Sequence, residues 1–165
     1  MKRSAAIAGS LVFLVLAPGT VAGLIPWWMT RWRMGPAFFG VEVLRWLGAA
    51  LMLAGLAILL DSFARFAWSG RGTPAPAAPT EYVVVGGFYR HVRNPMYVAV
   101  VALILGQALV FGAPSLLLYA GIVWLAFHLF VTLYEEPTLR AQFGEAYARY
   151  AAVTPRWLPR FTPPR

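Results

Sequence analysis

The sequence contains no cysteine. Disulfide scaffolds, thiolate metal sites, thiol nucleophiles and dithiol redox pairs are excluded together by that absence. Charge is nearly as scarce, with 12% of the 165 residues charged and 60% apolar, whereas a soluble domain is about 25% charged and about 45–50% apolar. A soluble globular protein is thereby nearly excluded, and a small integral membrane protein remains. Nothing in the pattern suggests a metal site.

The few charges are unevenly spread. No ionisable side chain lies between Arg3 and Arg31, and between Arg93 and Glu135 the one side chain that titrates near neutrality is His128. A membrane-crossing helix needs roughly 20 residues, so the second interval can hold two crossings back to back, with a turn at Gly112-Ala113-Pro114-Ser115. The chain is therefore expected to be all-α, with four transmembrane helices at about Ala5 to Ile25, Val41 to Leu60, Pro95 to Phe111 and Pro114 to Tyr134. The last two form a tight hairpin in this reading. The first segment has a second interpretation as a cleaved signal peptide with small residues at Thr20-Val21-Ala22-Gly23, although apolar character runs on to Trp27-Trp28, which suit an interfacial aromatic anchor.

Basic residues set the orientation. With four crossings, eleven of the 14 Lys and Arg residues fall on the side of the N-terminus, and Arg31 and Arg33 fall on the other, with Arg45 near the start of the second helix. Both termini are then expected in the cytoplasm. The net charge of +8 is explained by this topology and by anionic lipid headgroups, and calls for no nucleic acid. A composition rich in Ala, Gly and Arg points to a bacterial inner membrane.

Residues 1–60 thus read as an N-terminal helix pair, 61–80 as a linker rich in Pro, Ala and Gly, and 81–165 as the segment that carries chemistry. Within the last, Glu81 to Gly87 is a short extended stretch ending in a glycine pair, which permits close backbone approach or positive φ. Asn94 is a good N-cap and Pro95 suits the first position of a helix. That helix start directs free N–H groups toward the cytoplasmic rim beside Arg90, His91 and Arg93, where either an anion or lipid headgroups would be met. His128, Thr132 and Glu135 recur at i, i+4 and i+7 on an otherwise apolar helix, and Glu136 follows. Ionisable groups inside a membrane are costly and are functional candidates by default, while pairing of Glu135 with Arg90 or Arg93 would be a structural alternative. After Pro137, Leu139, Phe143, Tyr147 and Tyr150 fall at helical spacing, as in an amphipathic helix at the membrane surface.

These residues carry a resemblance. Gly87-Phe88-Tyr89, Arg93-Asn94-Pro95-Met96-Tyr97, a hydrophobic hairpin, Glu135-Glu136, Phe143-Gly144-Glu145-Ala146-Tyr147 and Pro155-Arg156-Trp157-Leu158-Pro159 occur in that order. The set resembles the C-terminal half of the isoprenylcysteine carboxyl methyltransferase family, which is related to the membrane phospholipid methyltransferases. The resemblance covers about residues 81 to 160. It implies S-adenosylmethionine bound at the cytoplasmic rim of the hairpin and transfer of its methyl group to a small lipophilic or lipid-like acceptor entering from the bilayer.

Carried over position by position, Tyr89 and Asn94, Pro95, Met96 and Tyr97 would line the cofactor site. Glu81, Tyr82, Val83 and Val84 would add backbone and apolar contacts, and Glu135 would hold the cofactor from the far end of the hairpin. Two positions depart from the family pattern. Asn94 stands where His is usual, which removes a titrating role there, and Val131 stands where enzymes acting on prenylcysteine place an Arg, which argues against a prenylcysteine carboxylate as acceptor. Methyl transfer needs alignment and exclusion of water, and only some acceptors need a base. Glu136, His128 and His91 are the candidate bases. The competing interpretations are a membrane enzyme similar to sterol reductases that uses NADPH, and a non-catalytic protein whose polar face only packs helices.

Overall fold

A computed structural model of the chain describes residues 3–69, 83 and 85–161. Among these residues the secondary structure is helical and no strand occurs. The helices are α1 (Arg3–Leu16), α2 (Ile25–Thr30), α3 (Val43–Ser69), α4 (Pro95–Phe111), α5 (Pro114–Phe130), α6 (Glu136–Phe143) and α7 (Glu145–Val153). Three stretches, Ile7–Thr30, Val43–Arg65 and Pro114–Phe143, are long and apolar enough to cross a membrane, while Pro95–Phe111 is shorter. Their outward faces carry large apolar side chains such as Trp46, Leu53, Leu118 and Leu133, a surface suited to lipid rather than water.

Two of those stretches are not uniform α-helix. A π-helical turn at Thr20–Leu24 joins α1 toward α2, and another at Val131–Glu135 joins α5 to α6. Each ends two residues before a proline, Pro26 or Pro137. A proline cannot donate to the carbonyl four residues back and its ring collides with it. One widened turn relieves that collision without breaking the helix. In the first case the released carbonyls find new donors, because Gln107 Nε2 of α4 donates to Ala22 O at 2.6 Å and Tyr119 of α5 donates to Val21 O at 2.9 Å. Such pairing is needed in a membrane, where no water would satisfy these groups. The first helix is thus tied to α4 and α5, and a cut at Ala22-Gly23 would remove those acceptors.

The most extensive packing is between α3 and α4, and glycines set its closeness. A Cβ on Gly48 would stand 2.7 Å from Gly106 O, and one on Gly106 would stand 2.7 Å from Gly48 O. Gly55, two turns along α3, approaches Ala99 O in the same way. This is the small-residue contact by which helices associate in lipid. Around it lie the buried side chains of Leu59, Phe63, Val100, Ile104 and Leu116.

Helix α4 begins at Pro95 and ends at Gly112, whose φ of +62° is left-handed. The turn expected at Gly112-Ala113-Pro114-Ser115 is where α4 stops and α5 starts. Gly112 is required twice over, because a side chain there would also strike the backbone of Pro36.

Three boundaries differ from the sequence expectation. Helix α3 continues past Leu60 to Ser69, because Asp61 and Arg65 pair at i, i+4 and Ser62 back-bonds to Ile58 O, so polar residues do not interrupt it. The single amphipathic helix expected after Pro137 is two helices, since Gly144 at φ +53° and ψ −125° breaks it. The Pro-rich end, described to Phe161, folds back onto the start of α4.

Replacing Gly106 or Gly48 with Val is expected to force α3 and α4 apart at a cost of about 1–3 kcal/mol. Thermal unfolding of the purified protein in detergent checks this. Gly121→Ala, at a position with open space around it, should leave the midpoint unchanged or slightly raised.

Candidate functional site

The polar side chains singled out in the sequence gather where the start of α4 meets the second π turn. Tyr97, in the first turn of α4, donates to Glu135 Oε2 at 2.7 Å, and its ring packs on Phe127 with centroids 4.6 Å apart. Glu135 is the last residue of the π turn and is partly buried. No ion pair to it forms among the described residues.

Tyr89 forms the next wall. It lies in the 3-10 turn Gly87–Arg90 and is 7% exposed. Burial pushes its phenol well above the ordinary range and the nearby Glu135 carboxylate adds to the shift, so the hydroxyl keeps its proton. The turn owes its shape to the glycine pair. Gly87 has φ of +57°, and the Arg65 guanidinium occupies the place a Gly87 side chain would take. Arg65 is itself held by Asp61 at 2.9 Å. Both uses of glycine expected at this position therefore occur together.

The neighbouring carboxylate behaves differently. Glu136 is 6% exposed, and the Arg156 guanidinium grips both its oxygens, Nε to Oε1 at 2.8 Å and Nη2 to Oε2 at 2.9 Å. Arg93 Nη1 adds a third contact at 3.1 Å. The hydrogen bond from Arg156 to Glu136 raises the arginine's pKa, so this pair stays charged through the physiological range. Arg93, a possible partner for Glu135 from sequence, is thus committed to Glu136 instead, and Glu136 is a bound counter-ion rather than a free base.

The two histidines are also engaged. His128 Nδ1 accepts from Trp157 Nε1 at 3.1 Å, which places the ring proton on Nε2, and the imidazole stacks on Trp124 at 5.3 Å. Thr132 turns its hydroxyl back to His128 O at 2.7 Å. The helical face expected to join His128, Thr132 and Glu135 is therefore divided: the π turn changes the angular spacing, His128 joins the tail and Glu135 joins α4. His91 Nδ1 lies 2.6 Å from Arg160 O, and Arg160 N donates to His91 O at 2.9 Å. Neither histidine is hydrogen-bonded to Tyr97 or Glu135.

Asn94 is the residue before α4 and Pro95 opens it, as expected. Its side chain makes no capping bond, however, because Nδ2 reaches across to Arg156 O at 3.1 Å. Pro95 is buried and Met96 packs against the core. Val83 is half-buried and belongs to no helix, while Glu81, Tyr82 and Val84 lie outside the described residues.

Sequence reasoning missed Asp61, Ser62 and Arg65 on α3 and Arg156 and Trp157 in the tail. Asp61 and Ser62 were visible as a polar pair at the end of an apolar run, the kind of exception that marks a site. The tail residues were visible as part of the Pro155-Arg156-Trp157-Leu158-Pro159 motif, but nothing in it assigned them a contact, since Arg and Trp are common near any membrane surface.

The fold and the site define a helical membrane protein with a partly buried Tyr–Glu pair where α4 meets the second π turn. Residues 43–146 match the family model for phospholipid methyltransferases, and the chain belongs to that family. It is accordingly a membrane methyltransferase. No curated protein matches the sequence. The matched stretch begins at α3 and so includes Asp61, Ser62 and Arg65, whereas the tail from Tyr147 onward lies beyond it.

Glu136→Ala would leave the buried Arg93 without its counter-ion. A loss of about 3 kcal/mol is expected, read as a lower unfolding midpoint in detergent, with Glu136→Gln less severe because hydrogen-bond acceptance survives at one atom.

Proposed function

We propose that the protein is an S-adenosylmethionine-dependent methyltransferase that modifies a small lipophilic or lipid-like acceptor at the cytoplasmic rim of the membrane. The observation that carries this reading is Glu135, a partly buried carboxylate hydrogen-bonded by Tyr97 and lacking any cationic partner among the described residues. A partly buried anion without a counter-ion favours a cationic ligand. A complementary vacancy exists in hydrogen bonding: Arg93 Nε is buried with no acceptor among the described residues, just before the free N–H groups at the start of α4. Carboxylates favour such helix starts.

The residues therefore fit a ligand with both a cationic and an anionic end. Glu135 and Tyr97 would hold the cation, Arg93 and the start of α4 the carboxylate, and Tyr89 would supply a protonated hydroxyl and a ring face. When bound, S-adenosylmethionine supplies an electrophilic methyl group on a sulfonium. The chain's own part is to orient the ligand and to exclude water. Tyr97 fixes the Glu135 carboxylate in one rotamer through a 2.7 Å bond, and Phe127 packs on the Tyr97 ring from the apolar side. By the family resemblance, Glu81, Tyr82, Val83 and Val84 would supply backbone and apolar contacts to the cofactor.

The topology proposed with this function has four crossings, with α4 and α5 as a hairpin and both termini in the cytoplasm of a bacterial inner membrane. That places the rim formed by Tyr97 and Glu135 on the basic side of the membrane. Val131 is fully buried and apolar one turn before Glu135, which supports an acceptor without a free carboxylate and so departs from isoprenylcysteine carboxyl methylation.

The test is equilibrium binding of S-adenosylmethionine to the full chain purified in detergent or nanodiscs, followed by transfer of radiolabelled methyl to extracted membrane lipids and to small prenylated thiols. Saturable binding near one per chain is expected. Glu135→Ala should weaken it about tenfold or more and Tyr97→Phe about threefold to tenfold, the loss of hydrogen bonds to a charged group. Wild-type protein that binds no methyl donor across several lipid compositions overturns the reading.

A further inference from the structure

The tail beyond α7 touches the site residues more often than membrane anchoring alone requires. Arg93 N donates to Pro155 O at 2.9 Å, Asn94 Nδ2 donates to Arg156 O at 3.1 Å, and Arg160 and His91 exchange two contacts. Tyr150 of α7 donates to Tyr89 O at 2.7 Å. Trp157 reaches His128 on α5, and Arg156 grips Glu136. These bonds engage Tyr89, His91, Asn94, His128 and Glu136, five of the positions that the sequence marked as site residues.

Two adjacent acids make the geometry specific. Glu135 meets Tyr97 in the first turn of α4, and Glu136 meets Arg93 in the non-helical segment just before that helix. The end of the π turn and the first residue of α6 are thereby held at two points, one on α4 and one in the segment leading into it. Arg93 reaches Glu136 through a single contact of 3.1 Å, whereas Arg156 binds it through two shorter ones that fix the plane of the carboxylate. The second point of attachment depends on the tail.

We propose that Arg156 is a positioning residue of the methyltransferase site: by clamping Glu136 it holds the rotation of the π turn at which Glu135 faces Tyr97, with Trp157 bracing the same turn through His128. The tail is then a working part of the site, although it lies beyond the matched family region. The cofactor arm of the test rests on the function proposed above; the exchange arm does not.

The experiment uses the full chain in nanodiscs and compares wild type with Arg156→Ala, Arg156→Lys and Trp157→Phe. Hydrogen–deuterium exchange is followed in peptides covering residues 131–137, together with S-adenosylmethionine affinity and the unfolding midpoint. Arg156→Ala is expected to speed exchange in 131–137 and to weaken cofactor binding about tenfold. Arg156→Lys should restore binding only in part, because charge returns while the two-pronged grip does not. Unchanged exchange and unchanged affinity in Arg156→Ala, whatever happens to the midpoint, overturn the proposal. Should Arg156→Ala fail to fold, Trp157→Phe decides in its place: faster exchange in 131–137 supports the positioning role and wild-type exchange overturns it. Wild-type protein that binds no cofactor sinks the functional reading, while the exchange data still judge whether the tail holds the turn.

Discussion

Burying the Glu136 carboxylate costs free energy unless its charge and its lone pairs are both met, and two arginines from opposite ends of the site region meet them. Arg93 comes from the approach to α4 and Arg156 from the tail, so one carboxylate joins three segments that are remote in sequence. A buried triad of this kind adds little net stability compared with an apolar replacement. Its value is directional, because a guanidinium fork accepts a carboxylate in few orientations. The orientation fixed at Glu136 is passed to its neighbour Glu135, whose own carboxylate has no counter-ion among the described residues and is held by the Tyr97 phenol.

The remainder of the bundle supplies a rigid reference for that joint. Backbone contact at Gly48 and Gly106 brings α3 and α4 close, so Tyr97 and Ser62 sit on elements that cannot slide without opening a gap. On the opposite side of the bundle, Gln107 takes the Trp32 indole N–H at 3.0 Å while donating to Ala22 O. Arg45 closes the α4 end in a similar way, donating to Gly35 O and Val110 O and pairing with Glu42. Both ends of α4 are thus fixed by directed polar bonds, and the apolar middle is left to packing and lipid.

Composition alone identified the membrane class, and the family resemblance singled out Tyr89, Asn94, Tyr97 and Glu135, of which the structure joins Tyr97 to Glu135. Punctuation was legible where a residue has one mechanical use. Pro95 and Pro114 open helices and Gly112 closes one. What could not be read was angular. A pattern at i, i+4 and i+7 assumes a regular α-helix, and the proline at 137 replaces part of it with a wider turn, which separates His128 from Glu135. Partner choice between adjacent acids was equally hidden: sequence offered Glu135 to Arg90 or Arg93, and three-dimensional placement gave Arg93, together with Arg156, to Glu136. The tail contacts were invisible because they join positions remote in sequence, 20 residues apart for Glu136 with Arg156 and 62 for Asn94 with Arg156.

The π turn at Val131–Glu135 has a consequence for how this chain can vary in length. It carries one residue more than an α turn would need, and each α-helical residue rotates the chain by about 100°. Removing a single residue there would return α5 and α6 to one regular helix, yet would swing every downstream side chain by that angle and bring the Pro137 ring back against the carbonyl four positions earlier. Insertions in the segment before Glu81 carry no such phase penalty. Natural length variation in relatives should therefore collect in that connecting segment and be absent between α5 and α6, with the acid pair travelling as one mechanical unit with its proline.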